Sequence, residues 1–196
     1  MSPILTGVVA SGISGHLTPA AIIAYDSIQT VTLGSTTAYV DFTSIPSTYK
    51  HLQIRWIGKS SATAYDTSNT YMQFNGDTAN NYSMHVFYAN QTPANATYGY
   101  FTGVYAPDIG AGGPNTNANF TYQFASNTID ILNYAATDKY KTSQSVSTNA
   151  APSSYYSAVE RNSHNWRSTS AITSIRFAPV SSSWAQYTTV ALYGIK

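Results

Sequence analysis

The chain of 196 residues contains no cysteine, which excludes disulfide frameworks, thiolate-bound zinc or iron, and thiol nucleophiles. Charge is almost as scarce. Asp, Glu, Lys and Arg make up only 9% of the residues, against about 25% in an ordinary soluble domain. Nine bases oppose eight acids for a net charge of +1, so nothing marks the chain as a nucleic-acid binder. Glu160 is the only glutamate, and a chain this poor in helix-favouring charged residues is not a helical bundle. No apolar run approaches the ~20 residues of a membrane-spanning helix, so membrane insertion is not expected. The apolar N-terminus lacks the basic segment of a secretory signal, because the first base is Lys50; it is not read as one.

Hydroxyls, amides and aromatic rings fill the space that charge leaves. There are 25 Ser, 25 Thr, 14 Asn and 17 Tyr, and Thr, Tyr and Val suit strands. A hydrophobic content of 43% with 14% aromatic is ample for a core and argues against disorder. At this length one domain is the default.

Residues 1–25 differ from all that follow. They carry no charged side chain, and Gly7, Gly12, Gly15 and Pro19 argue against a long helix. They read as an extended arm ahead of a single domain at 26–196. Eight aliphatics (Ile4, Leu5, Val8, Val9, Ile13, Leu17, Ile22, Ile23) bring ~12–24 kcal/mol if fully buried. Fixing the backbone of the segment costs ~25–50 kcal/mol. Burial alone does not order the arm; it needs backbone pairing or a partner surface, with Ile4, Leu5, Val8, Val9, Ile13 and Leu17 as the expected docking residues.

Beyond the arm the pattern changes to short alternating runs between turn residues. At 51–57, Leu52, Ile54 and Trp56 alternate with Gln53 and Arg55, as in a half-buried strand. The run 71–75, with Met72 and Phe74, ends in the turn signal Asn75-Gly76. Further strands are expected at 29–33, 39–42, 82–88, 98–105, 120–124, 128–132, 140–146, 155–159, 172–177 and 187–195. About a dozen strands, many at 8–12-residue spacing, predict an all-β antiparallel sandwich or barrel. Residues 108–119, rich in Gly, Asn and Pro, form the one long loop.

Motifs that carry chemistry fall short. Gly58-Lys59-Ser60 ends like a phosphate-binding loop, but Gln53 stands where that motif needs its first glycine, and no helix follows. Ser14-Gly15-His16 lies in the arm and is not a nucleophile elbow. One glutamate and seven scattered aspartates mark no carboxylate pair. His16, His51, His85 and His164 are too far apart for a local metal site. Asn75-Gly76-Asp77 with Asn80 and Asn81 offers oxygens to calcium but only one carboxylate, and a tight turn explains the same residues. The expectation is a protein with no enzymatic activity, no bound metal and no cofactor. The tyrosines allow three uses: packing, subunit contacts, and stacking on sugars. In the last, Tyr98, Tyr100 and Tyr155 are the candidate glycan contacts, with Tyr98, Tyr100 and Tyr88 grouped on one face.

Read in order, several blocks resemble small structural proteins of tailed-bacteriophage virions. They are Tyr25-Asp26-Ser27-Ile28 with Thr30-Val31-Thr32, then the run from Ile45-Pro46 to Ile54-Arg55, and Phe74-Asn75-Gly76-Asp77 with Asn81-Tyr82. Ile129-Asp130-Ile131-Leu132-Asn133-Tyr134, Lys139-Tyr140-Lys141, Ile172-Thr173-Ser174-Ile175 and Ala185-Gln186-Tyr187 continue the series, which closes on Ala191-Leu192-Tyr193-Gly194-Ile195-Lys196. The resemblance covers most of residues 25–196 and least of the arm. It implies a jelly-roll-like β-sandwich on the outside of a particle, commonly a homotrimer, partnered by other virion proteins of capsid or tail. Its localisation would be the virion, assembled in the host cytoplasm. The alternative is a carbohydrate-binding module that recognises host surface glycans.

Overall fold

The computed structural model describes residues 24–61, 68–90, 95–101, 104–109, 124–149, 158–180 and 182–196. The expected arm residues Ile4, Leu5, Val8, Val9, Ile13 and Leu17 therefore lie outside the described residues, as do Tyr155 and most of the 108–119 loop. Twelve strands and no helix are present among the described residues. They are β1 (Tyr25–Thr32), β2 (Val40–Phe42), β3 (His51–Gly58), β4 (Ser68–Phe74), β5 (Tyr82–Asn90), β6 (Asn95–Phe101), β7 (Val104–Ile109), β8 (Ala125–Leu132), β9 (Lys141–Asn149), β10 (Ala158–Trp166), β11 (Ile175–Pro179) and β12 (Thr189–Ile195).

Eight strands form one sheet in the order β1-β12-β3-β8-β9-β10-β5-β6, and four form a second in the order β2-β11-β4-β7. Every neighbouring pair is antiparallel. The chain is thus all-β with antiparallel sheets, consistent with a β-sandwich.

The apolar core lies where β12, β3 and β8 of the large sheet face β2, β11 and β4 of the small one. Strand β3 sends Leu52, Ile54 and Trp56 inward, and β8 and β12 add Ile129, Ile131, Val190 and Leu192. Phe42, Met72, Phe74, Ile175 and Phe177 answer from the other sheet. Aromatic rings join the layers, with Trp56 and Phe177 meeting edge-on at 4.8 Å between centroids and Phe177 in turn tilted against Trp184 at 5.1 Å.

Asn75 and Gly76 both adopt positive φ, 53° and 69°, the conformation that Asn and Gly tolerate best and that reverses β4. The Asn75 side chain then closes the neighbouring loop. Its Oδ1 accepts from the backbone N–H of Thr173 at 2.9 Å and of Ser174 at 3.2 Å, and its Nδ2 donates to the Ala171 carbonyl at 2.7 Å. These bonds hold residues 172–174 out of the ladder, so the strand expected at 172–177 is shifted to β11.

Other expectations change for equally local reasons. The run 98–105 is two strands: β6 ends at Phe101 in the large sheet, and β7 starts at Val104 in the small one. Tyr187 has φ 69°, so β12 begins only at Thr189. Strand β10 continues to Trp166, well beyond the expected end at 159. Phe124 lies outside any strand, and the remainder of the expected 120–124 strand is outside the described residues. Tyr25 belongs to β1 rather than to the arm, and residues 108–109 belong to β7 rather than to the loop.

Candidate recognition face

Strands β9 and β10 reverse the usual orientation of a sandwich. Their inward positions are Ser143, Ser145 and Ser147 on β9, opposite His164, Asn162 and Glu160 on β10, and all six are buried. Strand β7 packs across this polar layer. Their outward positions include Val146 and Val159, 48% and 58% exposed. Apolar side chains therefore face solvent here while hydroxyls, an amide, an imidazole and a carboxylate face inward. Two atoms in the polar layer, Ser145 Oγ and Asn162 Oδ1, have no hydrogen-bond partner among the described residues.

On the outer face the antiparallel register lines residues up in rows across the strands. Arg161 on β10 stands directly between Val146 on β9 and Phe87 on β5, and Phe87 is 55% exposed. The next row runs Gln144, Ser163, His85. Arg161, Phe87, Gln144, Ser163 and His85 line a concavity of about 470 Å³, a size typical of small-molecule sites, and Val146 stands beside it in register with Arg161.

The electrostatics of the face set Arg161 apart. Arg55 is covered by the rings of Tyr25 and Tyr193 at 4.9 and 5.0 Å and donates to Gln53. Arg176 forms a two-pronged pair with Asp41 at 2.8 and 2.9 Å beneath Tyr39, which raises its already high pKa. Arg161 touches only Gln144 Oε1, at 3.5 Å, and has no carboxylate within ion-pair distance among the described residues. Most donors of its guanidinium fork remain open.

The tyrosine candidates divide. Tyr98 and Tyr100 lie on β6, in register with His85 and Ser83 of β5. Tyr88 lies on β5, in register with Glu160 of β10. Tyr155 lies outside the described residues.

No family model matches the chain, and no curated protein matches it.

The remaining candidate sites are accounted for by packing. A Cβ on Gly58 would stand 2.9 Å from Trp184 and 3.0 Å from Trp56, so close ring packing explains the glycine of Gly58-Lys59-Ser60. The Asp77 carboxylate in the calcium-like turn accepts from Ala79 N, Asn81 Nδ2 and Trp166 Nε1, leaving its oxygens engaged by the protein itself. Among the described residues no three His, Asp or Glu side chains come together in a metal-binding group. His51 Nδ1 accepts from Asn133 N at 3.0 Å. His164 Nδ1 lies 3.4 Å from Ser143 Oγ, but both are buried between the sheets.

Sequence reasoning missed Phe87, Arg161, Val146 and Gln144. Alternation separates the two faces of a strand without saying which is inward, and on β9 and β10 the hydrophobicity points the wrong way. The alternation Ser143-x-Ser145-x-Ser147 is the one local signal that an inward face is polar.

Proposed function

We propose that the chain is a non-enzymatic structural protein on the exterior of a tailed-bacteriophage particle, either a capsid decoration (cement) subunit or a tail, baseplate or fibre appendage. In this reading residues 1–23 form the arm that docks on other virion proteins, and the remainder folds as an outward-facing, jelly-roll-like sandwich in a homotrimer.

One geometric relationship supports it best. The arm enters the fold at β1, one edge of the eight-stranded sheet, whereas the concavity lies across β9, β10 and β5 toward the other edge. From β1 to β10 is five strand-to-strand steps, or ~24 Å at about 4.8 Å each. In this reading attachment and presentation lie toward opposite edges of one sheet. The uncharged, aliphatic composition of the arm suits burial against a protein lattice, and the near-neutral domain gives cellular polyanions little to hold.

Quantitative mass spectrometry of purified particles, from the phage whose genome encodes the chain, tests this reading. The chain should be present at a fixed copy number divisible by three. Hundreds of copies identify a head decoration, and a few dozen or fewer a tail part. Its absence from purified particles would overturn the proposal.

The concavity favours a second reading, recognition of host surface glycans.

A further inference from the structure

We infer that the concavity around Arg161 binds a carboxylate-bearing sugar ring. Three observations lead there. First, Arg161 is a guanidinium without a counter-ion among the described residues, on the wall of a hollow of about 470 Å³. A planar fork of that kind pairs with a carboxylate through two parallel hydrogen bonds. Second, Phe87 and Val146 flank it in exact register and are about half exposed. That places apolar surface on both sides of the charge, as the C–H face of a pyranose requires. Third, the adjacent row of Gln144, Ser163 and His85 lines the same hollow, and the Gln144 amide and Ser163 hydroxyl are side chains that hydrogen-bond sugar hydroxyls.

The reversed polarity of β9 and β10 strengthens the point. Val146, Val159 and Phe87 add nothing to the core, because they face away from it. Exposed apolar surface gathered around one unpaired cation has no role in holding the sandwich together and a clear one in gripping a ligand. A neutral sugar would offer the guanidinium hydroxyl acceptors but neither a counter-charge nor a bidentate partner. A phosphate would engage the guanidinium but leave the apolar flanks idle.

This inference uses the outward display proposed above for its biological meaning only. Binding is measured on the isolated full chain, so it stands or falls independently of particle attachment. Two sources of the shared chemistry are tested by ligand-observed NMR and calorimetry: methyl glucuronide for uronic acids and N-acetylneuraminic acid for nonulosonic acids. Methyl glucoside, the methyl ester of methyl glucuronide and inorganic phosphate serve as comparisons.

At least one acid should bind in the millimolar range, at least about tenfold more tightly than its neutral counterpart. Whichever acid binds names the source. Arg161→Ala should abolish the preference for the acid, Arg161→Lys should restore it only in part, and Phe87→Ala should weaken acid and neutral sugar alike. Both side chains are exposed, so the thermal unfolding midpoints of the variants should match the parent and exclude misfolding. Equal binding of neutral and acidic sugars, tighter binding of phosphate, or no binding of either acid would overturn the inference. So would an oligomer whose interface covers Arg161.

Discussion

The indole Nε1 of Trp166 donates a hydrogen bond to Oδ2 of Asp77 at 2.7 Å. This bond ties the last residue of β10 to the turn that follows β4. The same carboxylate accepts from Asn81 Nδ2 at 3.0 Å and from the Ala79 N–H at 2.9 Å. Beside it, Tyr82 stacks on Trp166 at 6.2 Å and donates its hydroxyl to the Asp77 carbonyl. Burial disfavours the charge on Asp77, but the bonds from Trp166, Asn81 and Ala79 outweigh it and hold the carboxyl below its usual 3.8.

A carboxyl with a lowered folded-state pKa binds fewer protons when folded than when unfolded. Its contribution is therefore complete above the unfolded value of 3.8 and is lost as pH falls through the folded value. Trp166→Phe keeps a ring but removes the donor. The expected loss is about 1.5–3 kcal/mol at neutral pH, the range for a hydrogen bond to a charged group. The acid-unfolding midpoint should move to higher pH. Urea titrations across the acid range measure both, and an unchanged acid midpoint would show that the indole does not hold the charge.

Ser145 is 1% exposed, and its hydroxyl has no partner among the described residues. Replacing a buried, unsatisfied hydroxyl with a methyl group removes a desolvation cost of about 1–3 kcal/mol, so Ser145→Ala should be stabilising by about 1 kcal/mol. Ser163→Ala, on the exposed face of the same ladder, should fall within about 0.5 kcal/mol of the parent. Urea midpoints compare the two. Destabilisation by Ser145→Ala would reveal a partner for that hydroxyl.

His51 accepts the Asn133 N–H, where the chain turns with φ 47°. Burial lowers its pKa below 6.5, Lys50 lowers it further, and Asp130 partly opposes them. The neutral ring is the native form. Its contribution is complete above 6.5 and is lost as pH falls through the folded value, because the unfolded chain takes up the proton first. The urea midpoint should decline between neutral pH and about pH 5, and His51→Gln should flatten that decline. A slope unaffected by the substitution would assign it to other groups.

Gly194 lies on β12, between β1 and β3, with the ring of Tyr49 packed where a Cβ would project. Neither the ladder nor the ring can withdraw without breaking other contacts. Gly194→Ala should cost about 1–3 kcal/mol, as overpacking does, and Tyr49→Ala should relieve most of the added strain in the double variant. A Gly194→Ala protein as stable as the parent would contradict this close approach.

Periodicity made the apolar half of the molecule legible. Leu52, Ile54 and Trp56 are buried as their alternation predicts, and Asn75-Gly76 turns the chain as its residue types require. Partners distant in sequence were not legible. Gln53 faces outward yet is 7% exposed, because Asp130, from β8, bonds it at 2.6 Å and Arg55 bonds it from alongside. The change of sheets between Phe101 and Val104 is marked in the sequence only by Gly103, a residue that equally fits a bulge within one strand. The recognition face stayed hidden for a related reason. Val146, Arg161 and Phe87 come from three separate stretches and meet only through register, on strands where the polar residues turn inward.

The central claim is that the arm attaches and the sandwich is presented. Deleting residues 1–21 leaves every described residue in place, so the truncated chain should keep its β-type circular dichroism and melt cooperatively. It should also be missing from purified particles made with the truncated gene. A folded, truncated chain incorporated at the normal copy number would contradict the account.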